Sequence, residues 1–126
     1  MATILIIDDE KAILGFLKER LMGEGFNVLT ASDGKEGMNL FTSNQVDLVI
    51  TDIIMPDQDG FLTIMGLKKT CPDIKIIAIS GGGRGLPAYY LDTAKGFGAN
   101  YTFEKPFKTS ELVEAVHELL KEEKTS

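Results

Sequence analysis

The chain has 126 residues, 19 of them acidic and 13 basic, for a net charge of −6; 44% of residues are hydrophobic and 25% charged. That balance suits a single folded domain spanning 1–126 and excludes a disordered chain, while the acidic excess argues against direct nucleic-acid binding, which calls for a basic patch. The lone Cys71 excludes an internal disulfide or a multi-cysteine metal site and reads as a small buried or half-buried side chain; no signal-peptide pattern and no membrane-length apolar run are present, which predicts a cytoplasmic chain with no membrane insertion.

Strand and helix alternate five times. The first strand is Thr3–Ile7. A helix over 11–24 carries Ile13, Phe16, Leu17 and Leu21 at helical spacing and stops at Gly25. The second strand is Asn27–Ala31. Asp33-Gly34-Lys35-Glu36 resembles a capping box with Asp33 as cap, opening a helix to about residue 43 with Leu40 and Phe41 turned inward. The third strand covers 47–51, residues 55–60 form a loop, and 61–70 a helix. The fourth strand covers 75–79, residues 81–85 form a glycine-rich loop, and Pro87 opens the fourth helix. The fifth strand covers 100–104. The last helix, 110–121, sets Leu112, Val116, Leu119 and Leu120 on one face. Right-handed crossovers turn this order into an α/β doubly wound sandwich on a parallel sheet.

Four strands each end on a polar residue suited to phosphate and magnesium. Ile4-Leu5-Ile6-Ile7 runs into Asp8-Asp9, and Leu48-Val49-Ile50-Thr51 into Asp52. Ile76-Ile77-Ala78-Ile79 runs into Ser80, and Tyr101-Thr102-Phe103-Glu104 into Lys105-Pro106. Parallel strands open their carboxyl ends onto one crevice, so these residues meet there. Asp8, Asp9 and Asp52 at close range repel one another, and a divalent cation relieves that repulsion. Magnesium takes oxygen ligands, and a backbone carbonyl near Ile54 can complete the protein's share. Asp52, alone at its strand end, suits a nucleophile that accepts a phosphoryl group. Lys105 would then neutralise the phosphate oxygens and Ser80 donate a hydrogen bond to them. Any one of these residues alone is more often a cap, a turn residue or a solvated charge; the ordered set of four strand ends is what carries weight.

These motifs resemble those of the receiver domains of two-component response regulators. The resemblance runs from Ile4 to about Leu120. It rests on Asp8-Asp9-Glu10, on Asp52-Ile53-Ile54-Met55-Pro56 with Asp59-Gly60, on Ser80-Gly81, and on Gly98-Ala99 followed by Lys105-Pro106-Phe107. It implies a flavodoxin-like (βα)5 fold with strand order 2-1-3-4-5. It also implies an Asp52 phosphoacceptor, with Asp8, Asp9, Asp52 and the Ile54 carbonyl around Mg2+, a Ser80 switch hydroxyl, and Lys105 on the phosphate. The donor would be a phosphohistidine on a sensor histidine kinase or histidine phosphotransfer protein, since His117, the only histidine, reads as a plain helix residue. The chain would then be a signalling phosphoacceptor, catalysing only its own phosphorylation and dephosphorylation, that acts on a downstream protein target. Either it works by docking, or it is the receiver of a longer chain, since Ser126 follows the last helix closely.

The pattern departs from the family at Thr102, where an aromatic is usual. Either Tyr101 or Phe103 substitutes, or the signal runs through the Ser80 loop. Ile54 and Gly82, at positions that tune phosphate lifetime in the family, offer no polar side chain. Tyr89, Tyr90 and Tyr101, with Thr102, mark a partner-binding face. Rival readings are a receiver-like interaction module without phosphorylation, a nucleotide-binding α/β domain from Gly83-Arg84-Gly85-Leu86-Pro87-Ala88, and a haloacid-type phosphatase from Asp57-Gln58-Asp59-Gly60. The glycine motif follows the fourth strand instead of the first, and Pro56 separates the aspartate motif from its strand end.

Overall fold

Apolar side chains on both sides of each central strand demand cover on both faces, and the helices supply it. A computed structural model describes residues 1–55, 58–80 and 87–124, with side chains outside 54–60, 87–91 and 122–124. The elements are β1 (Thr3–Ile7), α1 (Lys11–Gly23), β2 (Asn27–Ala31), α2 (Gly34–Ser43) and β3 (Leu48–Asp52). A small hairpin, β4 (Ile54–Met55) and β5 (Gln58–Asp59), precedes α3 (Gly60–Thr70), β6 (Lys75–Ser80), α4 (Pro87–Phe97), β7 (Tyr101–Glu104) and α5 (Thr109–Lys124).

The five main strands are parallel, in the order β2-β1-β3-β6-β7. With the hairpin set aside, this is the expected 2-1-3-4-5. The register sets Ile7 beside Thr51 and Asp52 beside Ile79, so the strands end nearly level. Backbone bonds continue past the ends: Asp8 N–H donates to Ala31 O, Ile53 N–H to Ile79 O and Lys105 N–H to Ser80 O.

Alternation divides the strands' side chains between two cores. Ile4, Ile6, Leu48, Ile50, Ile77 and Ile79 meet α1 and α5 through Leu17, Leu21, Leu112 and Val116. Leu5, Ile7, Val49, Ile76 and Ala78 meet α2, α3 and α4 through Phe41, Ile64, Leu67 and Ala94. Each fully buried Leu or Ile contributes about 1.5–3 kcal/mol of transfer free energy, and this layering holds the carboxyl edge of the sheet rigid.

Helix ends follow their sequence signals. Asp33 accepts from Glu36 N–H at 2.7 Å, while the Glu36 carboxylate takes Ser32 N–H instead of the cap's own, one residue earlier than a strict capping box. Gly25 stands at φ +97°, a conformation that favours glycine, just past the end of α1. Lys68, whose pKa burial lowers, donates to Ile74 O at 2.8 Å and ties the end of α3 to the approach to β6.

Two expectations need correction. Residues 55–60 are not all loop, since Ile54 pairs with Asp59 and Met55 with Gln58; two-residue strands are too short to leave a periodic signal. Phe16 is 55% exposed. The buried stripe of α1 runs through Ile13, Leu14, Leu17 and Leu21, and Phe16 falls at its edge, beside Pro106 and Phe107. Cys71 is half-buried.

Candidate functional site

Asp8 follows β1 directly, Asp52 closes β3 and Ser80 closes β6; all three are almost fully buried. Lys105 follows β7, two strands away from β3. Strands lie about 4.8 Å apart, so only a long side chain bridges that gap. Lys105 Nζ stands 2.8 Å from Asp8 Oδ2, 2.7 Å from Glu10 Oε1 and 3.1 Å from Asp52 Oδ2. The 2.8 Å approach to Asp8 Oδ2 is ionic but poorly aligned for a hydrogen bond, which leaves that oxygen with acceptor capacity. The Lys105–Pro106 peptide is cis.

Burial opposes the charge on Lys105, yet Asp8, Glu10 and Asp52 together hold its ammonium above its ordinary range. Burial likewise pushes the Asp8 carboxyl up, and Lys105 and the Glu10 N–H that donates to Asp8 Oδ1 at 2.9 Å only partly offset it. The Ser80 hydroxyl is wholly buried and has no hydrogen-bond partner among the described residues. A buried hydroxyl left unpaired costs about 1–3 kcal/mol, so Ser80 gains from any acceptor that arrives beside it.

Oxygens of Asp8, Glu10 and Asp52 lie within 4.8 Å of one another. Opposite corners of a magnesium octahedron are about 4 Å apart, so the spacing and the all-oxygen donor set fit that cation.

The structure brings Asp8, Asp52 and Lys105 together; Asp9 is exposed beside them, and the third carboxylate in contact with Lys105 is that of Glu10. Glu10 belongs to the Asp8-Asp9-Glu10 run, and the one mark of it in the sequence is its position just ahead of a helix, where glutamate is a poor cap. Thr102 and Tyr101 are both half-buried on β7 but face opposite sides of the sheet. Tyr101 and Phe103 pack into the α1/α5 core, so parity sets both across the sheet from Thr102. The Ile54 backbone lies in β4. The side chains of Tyr89 and Tyr90, and all of Gly81 and Gly82, lie outside the described residues.

Fold and cluster together define a parallel α/β domain with a cluster of acids around a lysine at the carboxyl edge of its sheet. The model of the response regulator receiver domain matches residues 4–117. The chain belongs to that family and is a receiver domain of the two-component response regulators. It is 33% identical over 123 residues to the transcriptional regulatory protein CpxR of Escherichia coli K12, across 96% of this chain and 50% of CpxR. It is 33% identical over 124 residues to the sensor kinase CckA of Brucella abortus, across 97% of this chain and 13% of CckA. The chain thus spans half or less of the length of these curated relatives.

Among solved structures, a response regulator receiver domain protein from Clostridium thermocellum superposes with a TM-score of 0.89 at 35% identity, covering 99% of this chain and 98% of that one. TrrA of Thermotoga maritima, solved with Mg2+ and BeF, superposes with a TM-score of 0.81 at 35% identity over 94% of this chain and 99% of TrrA. No helix among the described residues is long and apolar enough to cross a membrane.

Proposed function

We propose that this receiver takes a phosphoryl group from a partner phosphohistidine onto Asp52, and that Ser80 and Lys105 contact the group once transferred. The observation that carries the proposal is the convergence of Lys105 Nζ on Asp52 Oδ2 at 3.1 Å, across 53 residues of sequence. The Asp52 carboxylate oxygen attacks phosphorus as the bond to the imidazole nitrogen breaks, and that nitrogen keeps the electron pair. Such a transfer rests mainly on positioning and charge neutralisation. Lys105 supplies one fixed positive charge, and the Ser80 hydroxyl, without a hydrogen-bond partner among the described residues, supplies a donor for a phosphoryl oxygen.

Asp8 and Asp52, with the exposed Asp9 beside them and the Ile54 carbonyl, would hold magnesium. When bound, magnesium supplies neutralisation of the phosphoryl oxygens and relief of the repulsion among the acids. The downstream partner is a protein docked on the face that carries β7 and α4. Phosphorylation shifts a pre-existing equilibrium of that face, driven by new contacts at Ser80 and Lys105.

The test is incorporation of labelled phosphate from acetyl phosphate, with and without magnesium, in wild type and Asp52→Asn. Magnesium-dependent labelling that disappears in Asp52→Asn is expected. Labelling that survives the substitution would move the acceptor elsewhere.

A further inference from the structure

We infer that Glu10 is a resident counter-ion for Lys105 that competes with the incoming phosphoryl group and slows phosphorylation of Asp52. The inference rests on the roles proposed above for Asp52 and Lys105.

Glu10 occupies the N-cap of α1 with extended backbone, φ −86° and ψ 106°, but its side chain makes no capping hydrogen bond. Its backbone does the local work: the carbonyl accepts from Ile13 and Leu14 N–H, and its own N–H reaches Asp8 Oδ1. The carboxylate is thereby free to cross 95 residues of sequence to Lys105, at the shortest of that ammonium's three contacts. An ammonium has three donors; here Glu10 and Asp52 each accept a hydrogen bond from it, and Asp8 Oδ2 makes an ionic contact at 2.8 Å. A phosphoryl oxygen that approaches Lys105 must share its charge with these carboxylates.

Exposure decides which partner yields. The side chains of Asp8 and Asp52 are 1% and 3% exposed, whereas that of Glu10 is 56% exposed. Glu10 can return to water at little cost, and the other two cannot. Until it leaves, it cancels part of the charge meant for the phosphate and sets a third carboxylate against an anionic donor. Glu10 therefore acts through Lys105, as a positioning residue.

The experiment compares labelling rates from acetyl phosphate, at limiting donor and saturating magnesium, for the wild-type chain, Glu10→Gln and Glu10→Ala. An ion pair this exposed is worth up to about 1 kcal/mol, so both variants are expected to label about 2- to 5-fold faster. The ratio to wild type should fall towards one near 1 M salt, where charges are screened within about 3 Å. Magnesium affinity by calorimetry should stay within about twofold, as a charge weakly coupled to the cation implies.

Equal or slower labelling of the variants overturns the inference. Slower labelling with weaker magnesium binding would make Glu10 a cation ligand instead. A rate gain indifferent to salt would reflect shape and not charge, and would also overturn it. If wild type itself takes no label, the Asp52 assignment falls with it; if wild type labels and the variants match it, only the role of Glu10 falls.

Discussion

Replacing Lys105 with methionine keeps length and removes the one positive charge that the described cluster contains. At an effective dielectric of about 20, an ion pair at the 2.8 Å seen for Asp8 has a gross worth of about 6 kcal/mol. Its loss lets the exposed Glu10 turn to water and leaves two buried carboxylates, Asp8 and Asp52, with oxygens within 4.8 Å and repelling by about 3 kcal/mol on the same scale. Protonation caps the damage. Neutralising one carboxyl with an ordinary pKa of 3.8 costs about 1.4 kcal/mol per pH unit above that value. The cap is therefore about 6 kcal/mol at pH 8 and about 1.6 kcal/mol at pH 5. Breaking a buried pair from one side costs about 3–5 kcal/mol in general, which fits under the first cap but not the second. Lys105→Met should thus lose about 3–5 kcal/mol at pH 8 and no more than about 1.6 kcal/mol at pH 5. The sign follows from linkage. Burial already raises the Asp8 pKa in the folded state, and loss of the ammonium raises it further, so the native chain holds protons that the unfolded chain has released. Stability then falls as pH climbs from 3.8 through the raised value. Urea unfolding of both proteins at pH 5, 6.5 and 8, without divalent metal, measures the gap. A gap under about 1 kcal/mol at pH 8, or one that does not widen with pH, would refute the reasoning.

Two further substitutions test the scaffold. A β-carbon at Gly37 would stand 2.4 Å from Ile7 Cδ1 and 2.8 Å from Cγ1. Gly37→Ala gains about 1 kcal/mol of helix preference but pays about 1–3 kcal/mol for overpacking. A net loss near 1 kcal/mol is expected by urea unfolding, smaller in an Ile7→Val background because the nearest atom is then gone. Asp33→Ala removes the bond to Glu36 N–H at the start of α2 and should cost about 1 kcal/mol, read as a lower Tm.

The strands and their polar ends were legible because a parallel strand buried on both faces is a nearly unbroken apolar run, so its end stands out. Ile4 to Ile7 and Ile76 to Ile79 announce themselves, and Asp8 and Ser80 follow by position alone. The hairpin of β4 and β5 was not legible, since two residues carry no period. The contact of Glu10 with Lys105 was hidden for another reason. Adjacent acids look alike in sequence, and which one meets Lys105 depends on the extended backbone of the N-cap and on a charge 95 residues away. Phe16 was misjudged because an apolar residue one step off a helical stripe fits the pattern while missing the core. Thr102 shows the converse: the period of two along β7 is enough to set Tyr101 and Phe103 on the opposite face.

The position of Lys105 also bears on how the chain comes together. Among the described residues, Asp8 and Asp52 stand at the ends of β1 and β3, and Lys105, which follows β7, is set against both. Before β7 docks, the two acids face each other without that ammonium. Docking of β7 delivers the ammonium and relieves their repulsion, so the last strand in sequence is rewarded by residues from the first. The site designed around charge thus doubles as a clasp, coupling the two ends of the chain into one cooperative unit. A receiver that lacks its final strand should lose more than the packing of four residues.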